Sequence, residues 1–421
     1  MTKIASIKAR EILDSRGNPT VEVEMTSENG LFARSSVPSG ASTGSKEAIE
    51  LRDGNKEKYF GKGVQQAVDN ITNKIFPAIK EMDLFDYKTI DQKMLELDGT
   101  ENKSNLGANA LLAVSMNVVK LGALEKKKSL FKYLREDCNC PVYTDHSDKY
   151  IMPKPLMNII NGGAHATNNL DIQEFMIIPQ KADSFKENLR IGAEIFHTLK
   201  KVLMSKNLAT GVGDEGGFAP NLESHEQAFT LMSEAIEKAG YVVGKDVVFA
   251  LDCASSEFFN TTDKMYTFEG EKKSATELIN YYKTLCEKYP LYSIEDGMDE
   301  NDIDGWKSLT QELGKEVKMV GDDLFVTNPT ILQQGIADKW ANSILIKLNQ
   351  IGTVSETLHA INLAKEAGFS SIISHRSGET ADSFIADLTV ATNSGHIKTG
   401  SLCRTDRIEK YNQLMRIEEE I

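Results

Sequence analysis

Over the last two thirds of the chain, short apolar runs alternate with stretches of helical period. The clearest runs are Val247–Asp252, Leu291–Glu295, Val317–Asp322, Ser343–Lys347, Ser370–Arg376 and His396–Lys398. Between two of them, Val354, Leu358, Ile361, Ala364 and Ala367 form one apolar stripe that Gly368 stops. Strand and helix in regular succession predict a parallel sheet covered by helices. The widest interval leaves room for an insertion at Phe258–Tyr289. Within Ser343–Gly352 a lysine interrupts a buried pattern. Alternation puts Ile344, Ile346 and Leu348 on one face and Leu345, Lys347 and Asn349 on the other. Such a lysine is either an edge-strand charge that blocks aggregation or a desolvated amine able to act as a base.

The first third has another pattern. Lys3–Leu13, Thr20–Thr26 and Leu31–Val37 read as strands, separated by the turn signals Asp-Ser-Arg-Gly-Asn-Pro and Glu-Asn-Gly. Connections this short imply a meander. The small-residue loop Ser39–Gly44 follows. Val64, Ala67, Val68, Ile71, Ile75 and Ile79 then fall at helical spacing, and Gly107–Leu121 is a second helix. Around Arg135–Tyr150 the sequence turns polar and aperiodic, with Pro141 inside it. The expected division is an N-terminal α+β domain over 1–137 and a barrel domain over 138–421.

Composition narrows the class. A chain of 421 residues with 40% hydrophobic and 26% charged content suits a globular protein of two domains. A net charge of −14 argues against general binding to nucleic acid or anionic membranes. The five cysteines are scattered, and Cys138-Asn-Cys140 has neither redox nor zinc spacing. Free thiols, no apolar leader at Met1–Ala5 and no long apolar run lead to the expectation of a cytoplasmic protein without membrane insertion.

The predicted strands share one feature. Asp252, Glu295, Asp322, Lys347, Arg376 and Lys398 each close a run. One charge at a strand end is usually a turn former or a helix cap. Six in succession at the carboxyl end of a barrel, where such folds place their chemistry, point to a site. Asp252, Glu295 and Asp322 offer hard oxygen ligands from three strands, a set suited to Mg²⁺. Arg376 has a fork suited to phosphate, with the Ser377 hydroxyl beside it. Lys398 adds a second cation near Lys347, and a neighbouring cation lowers a lysine's pKa. Gly211–Gly217 carries Asp214 and Glu215 on a glycine-rich loop, and Asn161–Ile178 carries His165, Gln173 and Glu174. A metal site, a tuned lysine, an acid on a tight loop and a phosphate cradle together suit proton abstraction beside a carboxylate, followed by loss of a leaving group.

These segments resemble one family. Ser39–Gly44, Gly213–Gly217, Leu251–Ser256, Ser293–Asp296, Gly321–Leu324, Leu345–Gly352, Ser374–Thr380 and Ile397–Gly400 are similar to enolase, in the family's order. The likeness runs from Asp14-Ser-Arg-Gly-Asn-Pro to Asn412–Glu419. Ser45, Asn168–Asp171 and Gly297 resemble the bacterial branch. The resemblance implies an α/β fold: a TIM-like barrel of ββαα(βα)₆ order behind an N-terminal α+β domain. It implies interconversion of 2-phosphoglycerate with phosphoenolpyruvate and water. Carried over by motif, Lys347 is the base at C2, and Glu215 is the acid at the C3 hydroxyl with Glu174 assisting. His165, Gln173, Glu174, Arg376, Ser377, Lys347 and Lys398 line the substrate. Two Mg²⁺ are implied, the first on Asp252, Glu295 and Asp322, the second substrate-dependent and reached by Ser42. A homodimer or octamer is also implied, together with roles reported for relatives: an RNA-degrading assembly, secretion to the cell surface, and binding of host plasminogen, to whose internal motif Phe259–Phe268 bears a loose likeness. The alternative readings are another superfamily dehydratase or racemase, or a surface binding protein. Lys154, Thr167, Ala381, His396 and Cys403 depart from the pattern. Of these, His396 is expected to share a strand face with Lys398 and so to shift the pH optimum.

Overall fold

The computed structural model describes residues 1–41, 43–143, 149–180, 182 and 184–421. Three antiparallel strands open the chain: β1 (Ile4–Leu13), β2 (Pro19–Ser27) and β3 (Phe32–Ser36). Asp14 builds the first turn, its Oδ1 accepting from the N–H groups of Arg16 and Asn18 at 2.8 Å each. Val21, Val23 and Met25 alternate inward along β2 and are fully buried. The 18-residue helix Ala108–Glu125 covers them, and Asn117 donates to the carbonyl of Val23.

The predicted helix over 64–79 forms with a difference. It runs as Gln65–Asn70, a π turn over Ile71–Ile75, then Phe76–Ile79. Pro77 has no N–H to donate, and its ring crowds the carbonyl four residues earlier, so the widened turn accommodates it.

The second part has the strands β4 (Lys154–Asn161), β5 (Glu174–Pro179), β6 (Val247–Asp252), β10 (Leu291–Glu295), β11 (Lys318–Gly321), β12 (Ser343–Ile346), β13 (Ser370–Ser374) and β14 (His396–Lys398). They close a barrel in the order β10-β11-β12-β13-β14-β4-β5-β6, with β6 returning to β10. Strands β7 to β9 (Phe259–Asn260, Met265–Phe268, Glu271–Lys273) form a separate small sheet in the expected insertion. Strand β5 is antiparallel to both neighbours, while the other pairings are parallel. With the helices Phe185–Ser205 and His225–Lys238 between β5 and β6, the implied ββαα start is present, and the fold is an N-terminal α+β domain on an α/β barrel. The helices carry their own start signals: Ser274 and Glu277 form a capping box, and Thr353 and Asn328 cap the helices after β12 and β11.

Alternation splits the barrel core in two. Leu156, Met176, Ile178, Ala250, Val320, Leu345 and Ile372 fill the interior, while Ile344, Ile346, Ile373 and Ile397 pack outward against helices. Among the described residues, no helix is long and apolar enough to cross a membrane.

Candidate active site

The interior apolar layer dictates where the charges go. Two residues beyond Ala250, Val320 and Leu345, on the same faces, stand Asp252, Asp322 and Lys347. Strand β5 runs backwards, so Glu174, two residues before Met176, reaches the same end. Its register partner is Asp252. Glu295 and Lys398 face inward because Ile294 and Ile397 face out. A tight, mostly polar cleft caps this end, lined by His165, Gln173, Glu174, Glu215, Asp252, Lys347, Ser374, His375, Arg376, Ser377 and Lys398.

On one side, Lys347 directly follows β12 and occupies the N-cap position of the short helix Leu348–Ile351. Asn349 therefore lies in that helix, off the face it shares with Lys347 in an extended strand. The Lys347 ammonium is ion-paired with Asp322. Burial disfavours this ammonium, but the carboxylates of Asp322 and Glu295 outweigh burial and the cations Arg376 and Lys398. The amine sits above its ordinary value, the reverse of what two neighbouring cations alone would produce. Gln350 donates to Asp322 Oδ1 at 2.9 Å and to Glu47 Oε1 at 3.2 Å. Arg376 lies in the loop past β13 rather than on the strand, and its fork meets both oxygens of Glu47 at 3.0 Å.

The N-terminal domain thus reaches into the site. Ser39 and Gly378 exchange backbone hydrogen bonds at 2.7 and 2.8 Å, and the Ala41 N–H donates to Ser377 Oγ at 2.7 Å. A Cβ on Gly378 would stand 2.4 Å from Asp14 Oδ2 and 2.8 Å from the Ser39 carbonyl, so only glycine permits this docking. Ser42, proposed for the second Mg²⁺, lies outside the described residues.

Across the barrel are the acids. Glu174 sits on β5, four strands from β12 in either direction. His165 Nδ1 lies 3.7 Å from Glu174 Oε1 and 3.5 Å from Glu215 Oε1. Glu215 also accepts from Asn158 Nδ2 at 3.0 Å and faces His375 Nε2 at 3.4 Å. Burial works to raise both carboxyls. At Glu174 the Glu215 charge adds to it and holds the group well above the carboxylate range. At Glu215 the neighbouring His375, His165 and Arg407 overcome it and hold the group well below. Two neighbouring carboxyls driven apart in this way can hold one proton between them.

Lys398 draws together three carboxylates. Its Nζ is 2.8 Å from both Glu295 oxygens, 2.9 Å from Asp252 Oδ2 and 3.0 Å from Glu174 Oε1. Gln173 donates to the same Asp252 oxygen at 3.2 Å. Burial, then the Asp252 charge, pushes Glu295 well above the carboxylate range. The donor set fits a hard divalent cation: three buried carboxylates from adjacent strands, two of them already gathered round an ammonium. Asp296 supports Asp322 from beside it, accepting the Asp322 and Asp323 N–H groups at 2.9 Å each, and its carboxylate lies within 4.8 Å of theirs.

Every described candidate except His396 reaches this end. His396 points inward at the opposite end of the barrel, against the Tyr292 ring at 4.9 Å. Burial, then Lys154 and Lys318, lowers its pKa to about 4, which leaves it neutral in the working range and removes the expected effect on the pH optimum. Sequence reasoning missed Glu47, Asn158, Gln350, His375 and Asp296. His375 stands inside Ser374–Thr380 and Gln350 inside Leu345–Gly352, both already singled out, and Asp296 follows Glu295 directly, so position alone offered a signal for those three.

A closed barrel with ionisable groups gathered at the carboxyl end of its strands, capped by loops of a preceding α+β domain, puts the chain in the TIM-barrel class. The enolase N-terminal domain matches residues 4–134, and the enolase C-terminal TIM barrel domain matches residues 149–421. The chain belongs to the enolase family and carries the framework of an enolase-superfamily lyase.

Proposed function

We propose that the chain dehydrates 2-phosphoglycerate reversibly to phosphoenolpyruvate and water. The observation that carries this reading is the opposition of Lys347, at the end of β12, to the Glu174–Glu215 pair across the cleft, with the Arg376–Ser377 cradle beside the lysine. Arg376 and Ser377 hold the phosphate, and Gln173 and His165 line the cavity near the acids. Lys347, as the free amine, takes the C2 proton, and the electron pair left at C2 moves into the carboxylate. The pair then returns to form the C2–C3 double bond as the C3–O bond breaks. The proton held between Glu174 and Glu215 passes to the C3 hydroxyl from Glu215, with Glu174 assisting, and lets it leave as water.

Asp252, Glu295 and Asp322 would hold the first of two Mg²⁺ and Ser42 the second, and the ions would supply positive charge to the substrate carboxylate. The division of the chain at 137/138 belongs to the same proposal. The test is phosphoenolpyruvate formation from 2-phosphoglycerate, with and without a chelator. Activity that needs added Mg²⁺ supports the reading. Activity that survives chelation defeats the metal assignment, and inactivity under both conditions defeats the enzyme.

A further inference from the structure

The segment Ser401–Arg407, which runs from the loop after β14 into the first turn of the last helix (Thr405–Glu418), grips the acid loop. Three successive carbonyls of that loop each receive a donor from it. Arg407 Nη2 donates to Asp214 O at 3.2 Å, the Ser401 N–H to Glu215 O at 2.9 Å, and the Cys403 thiol to Gly216 O at 3.1 Å. Arg407 is completely buried. Its Nη2 also donates to Ser377 O at 2.6 Å, its Nη1 to Arg376 O, and its Nε lies 2.8 Å from Asp406 Oδ2. One guanidinium therefore joins the backbone of the acid loop to the backbone of the phosphate cradle. Gly400 makes room for it: at φ +80°, a Cβ there would come within 2.8 Å of Arg407 Cδ and 2.9 Å of Glu215 O.

The remaining contact of Arg407 is with His375 Nδ1. An arginine can only donate, so the ring nitrogen it meets must be the acceptor. A neutral imidazole with Nδ1 accepting carries its proton on Nε2, the nitrogen 3.4 Å from Glu215 Oε1.

We propose that Arg407 is a positioning residue: it fixes His375 in the tautomer whose Nε2–H faces Glu215 and, with Ser401 and Cys403, holds the acid loop in register with Arg376–Ser377. The role as stated for catalysis rests on the dehydratase reading above. No bond forms or breaks at Arg407, because it acts through Glu215 and His375. Lysine could not replace it, since a single ammonium cannot span the carbonyls of Asp214, Arg376 and Ser377 and the imidazole together.

The test begins with wild-type protein labelled with ¹⁵N-histidine, with the His375 resonances identified by their loss in His375→Gln. At neutral pH the inference expects an unprotonated Nδ1 and a protonated Nε2. A proton on Nδ1, or an imidazolium, overturns it. In Arg407→Lys and Arg407→Met the single tautomer is expected to give way to a mixture. Elimination should fall about tenfold to a hundredfold, the scale set by small misplacements of reacting groups. Exchange of the C2 proton with solvent, which depends on Lys347, should persist. A merely structural role would lower exchange and elimination together, and that result overturns the proposal. So does a folded variant that retains both tautomer and turnover. If Arg407→Met does not fold, the wild-type spectrum and the Lys variant still decide. A wild type inactive on 2-phosphoglycerate would sink the dehydratase reading while leaving the tautomer measurement valid. An active wild type with the other tautomer would sink only this inference.

Discussion

Lys347 and Glu215 divide the proposed reaction between two walls of one cavity, so single substitutions should separate its halves. Lys347→Ala is expected to lose both C2 proton exchange and elimination by about 10²–10⁴-fold, the usual contribution of a positioned base. Glu215→Gln is expected to keep exchange and lose elimination. Deuterium uptake at C2 measured beside phosphoenolpyruvate release checks both, and exchange surviving in the lysine variant would remove Lys347 as the base. The buried histidines make a separate prediction. His225 Nε2 accepts the Asp171 N–H at 2.9 Å, and burial lowers its pKa from 6.5 to about 4. Between those values the unfolded chain binds the extra proton and the folded chain does not. The contribution is complete above the unfolded value and is lost as pH falls toward 4, by about 3 kcal/mol at most. Denaturant titrations across that window should show a shallower slope for His225→Asn. His396→Gln should leave the pH–rate profile unaltered, because that ring is already neutral.

At the scale of elements, the reversed strand β5 and the docked Ser39–Ala41 segment do what a purely parallel barrel could not. Reversal brings the beginning of a strand, and so Glu174, to the end where the others finish. Docking sets Ala41 and Glu47 against Ser377 and Arg376. Gly378→Ala would force apart backbone atoms that meet at this seam. An overpacked site of this kind costs about 1–3 kcal/mol. The expected result is a raised KM for 2-phosphoglycerate with a smaller loss of thermal stability, and unchanged steady-state kinetics would show that the seam does not hold the cradle. The sequence showed most barrel strands because apolar runs bounded by helical stripes have few other solutions. It did not show β4, where Pro153 and Pro155 obscure the strand signal, nor the π turn, which depends on how one helix accommodates Pro77.

At the scale of the whole molecule, buried carboxylates converge on one barrel end and lysines partly balance them. Glu174, Glu295, Asp296 and Asp323 are all held well above the carboxylate range, with burial the leading cause. A cation that binds only the folded chain should relieve this strain. Mg²⁺ at a hundred times its dissociation constant would stabilise the fold by about 2.7 kcal/mol. Unfolding midpoints in Mg²⁺ and in chelator should differ in that direction, with the difference reduced in Glu295→Gln. Equal midpoints would count against the metal site. The sequence by itself determined the two-part architecture and nearly every candidate side chain, because strand parity and strand-end charges are written in the order of residues. Only the tertiary structure decided which charges touch. Glu47 meets Arg376, Gln350 bridges Glu47 to Asp322, Lys398 gathers three carboxylates, and Arg407 ties His375 to the acid loop. Those partners lie far apart in the chain, and ion pairing and tautomer depend on distances that exist only once the barrel has closed.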